Sequence, residues 1–132
     1  MDAVLMSSAK LLLPTAIGTA LLLCIAAGHA HGHAFPASQS PAAGESLTTA
    51  PSEIVVRFDS PIEQAFARLA VFDSAGTNCA RAGAQVDSSA RSLWVRVAPL
   101  RPGDYSVSWG VISADGHRTE GSYGFTVRSA GK

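Results

Sequence analysis

The sequence predicts an all-β domain, folded as a sandwich or small barrel with Greek-key connections. Three observations support this class: apolar and polar residues alternate, β-branched and aromatic residues are concentrated in short runs, and turn-forming residues separate the runs. The predicted strands are residues 53–58, 67–72, 92–97, 104–109 and 121–127. The predicted turns are residues 59–61, 73–76, 87–89 and 101–104.

The segments outside these runs are less regular. Residues 35–50 are rich in alanine, serine and proline. We expect an irregular first strand there, with turns around 41–44, because a free tail would leave His33 unable to meet a fixed partner; a low-complexity linker is the alternative. Residues 62–67 hint at a helical turn. Three aromatic residues are expected in the core: Phe58, Trp109 and Phe125.

Residues 1–32 are typical of a secretory signal peptide, which leaves residues 33–132 as the mature domain. Lys10 ends a short charged region, and residues 11–27 are almost wholly apolar. The apolar run is marginal for a membrane span, and small residues rather than a basic stop-transfer cluster follow it. We therefore expect the protein to be exported.

Two cleavage points fit the preference of signal peptidases for small residues, one after Gly32 and one after Ala30. The first, which we favour, makes His33 the first residue of the mature chain. The second would begin the chain at His31, whose amine could bind Cu(II) together with the third-position imidazole in a local square-planar site.

Composition limits the function classes. Residues 33–132 hold nine Arg or Lys and nine Asp or Glu, so their formal charge is zero. This balance argues against nucleic-acid and anionic-membrane partners, which need an excess of basic residues. Cys79 is the only cysteine of the mature chain and cannot close an internal disulfide. We expect a buried or partly buried structural thiol, with metal or redox chemistry as the alternative.

The two histidines of the mature chain are the candidates for chemistry. If cleavage frees the amine of His33, this residue offers an amine nitrogen and an imidazole to one metal ion. Asp115 and His117 can add a carboxylate and a second imidazole, because in an extended segment they point to the same side and Gly116 permits a tight turn. Cu(II) prefers such nitrogen and oxygen donors in tetragonal geometry.

Each of these residues also has an ordinary explanation. His33 could be a disordered end, His117 an ion-paired loop residue, and Asp115 with Gly116 a simple turn. We predict a Cu(II) site because the residues occur together. Binding should release protons and weaken steeply below about pH 6, since amine and imidazole nitrogens bind metals only when unprotonated.

Six blocks of the mature chain also occur together in a specific order. They are HAF at 33–35, SPAAG at 40–44, VRFDSPIE at 56–63, LRPGDYSVSW at 100–109, VISADGH at 111–117 and GSYGFTV at 121–127. With a histidine directly after a leader, these blocks make the chain resemble the CopC family of periplasmic copper-resistance proteins. The resemblance covers essentially the whole mature chain.

The resemblance implies a seven-stranded Greek-key sandwich or barrel of cupredoxin-like or immunoglobulin-like type. It implies that His33, Asp115 and His117 bind Cu(II), and that the ion is passed on beside a CopD-like inner-membrane copper-transport protein. Asp59 matches a carboxylate position close to the bound terminus, where it could hydrogen-bond the amine or orient an imidazole; an exposed turn aspartate is the alternative. The methionine-rich Cu(I) site of some members is not expected, because both methionines lie in the leader.

We therefore predict an exported, periplasmic, monomeric protein that binds one Cu(II) in copper homeostasis, resistance or trafficking and is not an enzyme. One alternative is an oxidative enzyme with a terminal-histidine copper brace. Asp115 argues against it by filling a position that O₂ chemistry needs open, and 100 residues leave little room for a substrate face. A Ser-His-Asp triad is not expected, since both histidines of the mature chain are predicted metal ligands. A structural or interaction sandwich without copper is the other alternative.

Overall fold

A computed structural model describes residues 32–129 of the protein. The predicted signal peptide therefore lies outside the described residues, apart from Gly32. Within this range no helix is long and apolar enough to cross a membrane.

The described chain folds into two four-stranded sheets. The strands are β1 (Pro36–Ser40), β2 (Ser46–Leu47), β3 (Glu53–Phe58), β4 (Arg68–Asp73), β5 (Gln85–Val86), β6 (Ser92–Arg96), β7 (Gly103–Ile112) and β8 (Arg118–Val127), and a single 3-10 turn spans Gln64–Phe66. One sheet has the order β1-β3-β6-β5 and the other β2-β8-β7-β4. All neighbouring strands are antiparallel except β2 and β8.

The all-β sandwich predicted from the sequence is confirmed. The chain passes between the sheets five times, at β1–β2, β2–β3, β3–β4, β4–β5 and β6–β7, which is the connectivity of a Greek-key sandwich. The strand number differs, because residues 32–129 form eight strands rather than seven. Two of the eight, β2 and β5, have two residues each and are too short to show an alternating pattern.

The core lies between the two sheets and follows the alternation of the strands. In β7, every second residue from Tyr105 to Val111 is buried. Phe58, Trp109 and Phe125 are 1%, 8% and 2% exposed, as expected from the sequence. The rings of Phe58 and Trp109 meet edge to face at 5.3 Å, which joins β3 of one sheet to β7 of the other.

The longest pairing is the β7–β8 hairpin, in which ten residue pairs run from Gly103↔Val127 to Ile112↔Arg118. Both strands are longer than the predicted runs 104–109 and 121–127. The cross-strand hydrogen bonds continue toward the loop, beyond the residues whose alternation predicted the strands. The loop 113–117 closes the hairpin, with the Ser113 N–H donating to the His117 carbonyl at 2.9 Å. This loop therefore stands at one end of the sandwich.

The loop 59–63, which follows β3, lies at the same end and contacts both sheets. The Asp59 N–H donates to the Phe35 carbonyl at 3.0 Å, and the Ala114 N–H donates to the Pro61 carbonyl at 3.1 Å. The Ile62 N–H donates to the Ala90 carbonyl at 2.7 Å. The loop thus holds the start of the described chain and the hairpin loop 113–117 at one end of the fold.

The turn between β5 and β6 supports this loop, and Asp87 organises the turn. Its carboxylate accepts the N–H groups of Arg91 (3.1 Å) and Ser92 (3.0 Å) and the Ser89 hydroxyl (2.9 Å). These bonds, that from the Ser92 backbone above all, lower the pKa of Asp87 to about 2. The Arg91 guanidinium in turn binds the Asp59 carbonyl.

We expect Asp87→Asn to lower the melting temperature at neutral pH, because the ionised carboxylate is the stronger acceptor. The pKa of Asp87 is lower in the folded chain than in the unfolded chain, so its stabilisation is complete above about pH 4 and is lost as the pH falls toward 2. Thermal unfolding of both proteins from pH 6 to 2 should therefore show a difference that narrows in acid. A difference that stays constant would contradict this role of Asp87.

Candidate metal centre

The hairpin loop 113–117 places Asp115 and His117 side by side. Gly116 has φ +87°, in the left-handed region that glycine adopts without strain. The Asp115 carboxylate accepts the His117 N–H on Oδ1 at 3.1 Å, and its Oδ2 lies 2.8 Å from the His117 Nδ1. The expectation of an extended segment was wrong here. The two side chains face each other because the aspartate folds back over the turn, as aspartates in turns commonly do.

The start of the described chain is fixed next to this loop. Ala34 is fully buried, and its carbonyl accepts the Thr119 hydroxyl at 2.7 Å. One residue later, the Phe35 N–H donates to the Asp59 Oδ1 at 2.9 Å. His33 is therefore held directly before two anchored residues.

The three predicted ligands are brought together. One nitrogen of His33, one oxygen of Asp115 and one nitrogen of His117 all lie within 4.8 Å of one another. The imidazole centroids of His33 and His117 are 4.4 Å apart. Among residues 32–129 this is the only group of three or more His, Cys, Asp or Glu side chains close enough to hold a metal ion.

The spacing of these atoms can be compared with the ligand shell of Cu(II). Bonds of about 2.0 Å to nitrogen or oxygen place adjacent ligands of a square plane about 2.8 Å apart and opposite ligands about 4.0 Å apart. The 2.8 Å between the Asp115 Oδ2 and the His117 Nδ1 equals an adjacent pair. The 4.8 Å span of the whole group exceeds an opposite pair by less than 1 Å. The three residues therefore form a group close enough to hold one ion.

The site is at the surface and carries a negative charge. The side chain of His117 is 62% exposed and that of Asp115 31% exposed. The Ser113 hydroxyl, followed by the N–H and ring of His117, lowers the pKa of Asp115 to about 2. The carboxylate is therefore ionised at any pH at which imidazoles bind metals.

Asp59 lies beside the site and contacts the chain start through Phe35. Its carboxylate accepts the Phe35 N–H, its own N–H donates to the Phe35 carbonyl, and its carbonyl accepts the Arg91 guanidinium. Asp59 thus holds the backbone two residues after His33. The hydrogen bond described for its carboxylate goes to this segment and not to His33 itself.

Two residues at the site were not singled out from the sequence, Ser113 and Thr119. The Ser113 hydroxyl contacts Asp115, and the Thr119 hydroxyl binds the Ala34 carbonyl. A serine two positions before an Asp-Gly turn is an ordinary turn residue, and a threonine in a strand is equally ordinary. Nothing in the sequence pattern separates these hydroxyls from those that face solvent.

Cys79 lies away from the site, next to the core. It is partly buried, its Sγ lies 3.5 Å from the Thr77 carbonyl, and burial raises the pKa of its thiol. It belongs to no metal-ligating group within the described part of the chain. These surroundings are those of a partly buried thiol, as expected.

A family model, the CopC domain, matches residues 37–128. The chain belongs to the CopC family. The match spans β1 to β8 and contains Asp59, Asp115 and His117, whereas His33 precedes it.

Individual relatives agree with this assignment. The protein YobA of Escherichia coli K12 is 35% identical over 98 residues, covering 73% of this chain and 79% of YobA. The crystal structure of CopC from Methylosinus trichosporium OB3b superimposes with a TM-score of 0.70 at 32% identity, covering 76% of this chain and 98% of that structure. PcoC of E. coli, described as a methionine-rich copper resistance protein, has a TM-score of 0.64 at 25% identity, covering 73% and 99%.

This CopC-family chain differs from PcoC in its methionine content. Its two methionines are Met1 and Met6, and residues 33–132 contain none. Residues 33–132 therefore offer no thioether ligand of the kind that suits Cu(I).

We expect Asp59→Ala to loosen the start of the chain. Loss of the charged acceptor leaves the Phe35 N–H without its side-chain partner, so its amide hydrogen exchange should accelerate on the order of tenfold. The matched control is Asp104→Ala, which also removes one carboxylate. Asp104 lies near the start of β7, at the end of that strand away from the loop 113–117. Exchange measured by NMR should be unchanged at Phe35 in the control, and equal rates in both variants would contradict the role of Asp59.

Proposed function

We propose that this protein binds one Cu(II) ion at the start of its processed chain and serves in copper homeostasis, resistance or trafficking. The observation that carries the proposal is the grouping of His33, Asp115 and His117, whose donor atoms lie within 4.8 Å although they come from opposite ends of the domain sequence. Membership of the CopC family and the copper-resistance description of PcoC support the choice of metal.

The donor set suits Cu(II) better than other divalent ions. Cleavage after Gly32 would give His33 a free amine, so this residue would supply two nitrogens, Asp115 one oxygen and His117 one nitrogen. Four nitrogen and oxygen donors match tetragonal Cu(II), which also binds such ligands more tightly than the other divalent first-row metals do. The ionised Asp115 offsets part of the charge of the ion.

The exposure of the ligands favours a role in carrying copper over a role in catalysis. The side chain of His117 is 62% exposed, so a ligand from another protein could reach the ion and take it over. A CopD-like inner-membrane copper-transport protein is the partner that the family resemblance implies, and the predicted signal peptide would bring this chain to the periplasmic side of that membrane. The Asp115 oxygen would fill the position that an oxidative enzyme needs open. We therefore propose a copper carrier rather than an enzyme, and we further propose that it acts as a monomer.

We expect His117→Ala to lower the Cu(II) affinity by orders of magnitude, because one of four donors is lost and the exposed position needs no repacking. Competition titration against a Cu(II) chelator would measure the affinity, and circular dichroism would show that the sandwich is intact. Arg118→Ala is a suitable control, since it alters the next residue without removing a donor. An unchanged affinity in His117→Ala would remove the hairpin loop from the site.

We expect a protein that begins at His33 to bind Cu(II) at least tenfold more tightly than one with an added methionine before His33, since the extension converts the amine into an amide. Equilibrium dialysis of both forms tests this. Equal affinities would exclude the amine as a ligand.

Cleavage after Ala30 is tested in the same assay. A chain that begins at His31 would hold copper through its own first three residues. Its affinity would then be insensitive to His117→Ala. Mass spectrometry of the exported protein identifies which form the cell makes.

A further inference from the structure

The hydroxyl of Ser113 is buried beneath the candidate site and contacts Asp115. Ser113 directly follows β7, is 2% exposed and pairs with Ile62 in an isolated β-bridge. Its Oγ is 2.9 Å from the Gly32 carbonyl oxygen, 3.0 Å from the His117 carbonyl oxygen and in short contact with the Asp115 Oδ1. It is one of two polar residues that are buried within residues 32–129.

These three neighbours compete for one proton. A serine hydroxyl has a single proton to donate, and all three neighbouring atoms are acceptors. The His117 carbonyl already accepts the Ser113 N–H at 2.9 Å. The ionised carboxylate of Asp115 is the strongest of the three acceptors, because its hydrogen bonds are charge-assisted.

Processing after Gly32 would remove one of the competing acceptors. Cleavage would take the Gly32 carbonyl away and leave the Asp115 Oδ1 and the His117 carbonyl, of which the ionised carboxylate is the stronger acceptor. Gly32 also lies against the other carboxylate oxygen, since a Cβ on Gly32 would be 2.2 Å from the Asp115 Oδ2. Gly32 thus lies beside both the Ser113 hydroxyl and the Asp115 Oδ2, the oxygen that faces His117.

We propose that Ser113 is the positioning residue for the carboxylate of Asp115. In the processed chain the Ser113 hydroxyl and the His117 N–H both donate to Oδ1, and the two bonds fix the plane of the carboxylate. The other oxygen, Oδ2, then points to the His117 ring and would be the only carboxylate oxygen that binds the metal. This inference rests on the proposed function and adds to it the residue that selects which oxygen binds.

The size of the effect follows from the behaviour of other metal sites. Hydrogen-bond partners that orient a ligand typically contribute about 10–100-fold to metal affinity. Without the serine hydroxyl the carboxylate keeps one donor, so it can rotate about its Cβ–Cγ bond and present either oxygen. Both the affinity and the coordination of the ion should therefore change.

The test uses the protein beginning at His33 in four forms: wild type, Ser113→Ala, Ser113→Thr and Thr126→Val. Thr126→Val is the matched control, because the Thr126 hydroxyl also contacts an aspartate, Asp104 at 2.7 Å, at the far end of the same hairpin. Cu(II) affinity is measured by chelator competition, and the copper hyperfine coupling by electron paramagnetic resonance. Circular dichroism monitors the fold of each form.

We expect Ser113→Ala to bind Cu(II) about 10–100-fold more weakly than wild type and to show a changed hyperfine coupling. Ser113→Thr, which keeps the hydroxyl, should restore both, and Thr126→Val should match wild type. Wild-type values in Ser113→Ala would overturn the proposal, as would a loss of affinity that threonine does not restore. Absence of Cu(II) binding by wild type would instead refute the proposed function itself.

Discussion

The contact between the loop 59–63 and the two segments beside it is the constraint on which the site depends. Asp59 holds Phe35 by hydrogen bonds in both directions, and Pro61 holds Ala114 of the hairpin loop. One short loop thus joins a segment from the beginning of the domain to one near its end. Because backbone groups make most of these bonds, the arrangement follows from the fold more than from the identity of exposed side chains.

The same end of the sandwich combines a rigid base with exposed donors. The base consists of buried residues such as Ala34 and Ser113, which are 0% and 2% exposed. Above them, His33 and His117 are exposed and their rings are 4.4 Å apart. Buried neighbours of this kind hold the predicted donors close together at little entropic cost, and on the proposed function the exposure of the donors would keep a bound ion accessible to another protein. This combination is consistent with the proposed carrier role.

Much of the fold was predictable because strand patterning is local. The alternation in β3, β4, β6, β7 and β8 reflects which side of each strand meets the core, and this information is present in a few consecutive residues. The two-residue strands β2 and β5 contain no such period. The grouping of His33, Asp115 and His117 could be anticipated because donor types are visible in the sequence, and their binding of a metal stays a prediction. The turn at Gly116 was visible as well, but its effect on the direction of Asp115 was not.

The supporting contacts were harder to predict, because they depend on groups that sequence patterns do not mark. Asp59 was singled out, yet its carboxylate binds the backbone N–H of Phe35, and a backbone partner has no residue signature. Ser113 becomes distinctive only when its burial and its three oxygen neighbours are known.

The position of Gly32 against the Asp115 carboxylate has a consequence for when the protein can take up metal. If residues 1–32 are removed as a signal peptide, the uncleaved precursor has no free amine at His33, and its Gly32 carbonyl lies beside Ser113 in the group of predicted ligands. Such a precursor would lack the amine ligand and would therefore bind Cu(II) more weakly than the processed chain. On the proposed function, cleavage would then be the step that makes the chain competent to bind Cu(II).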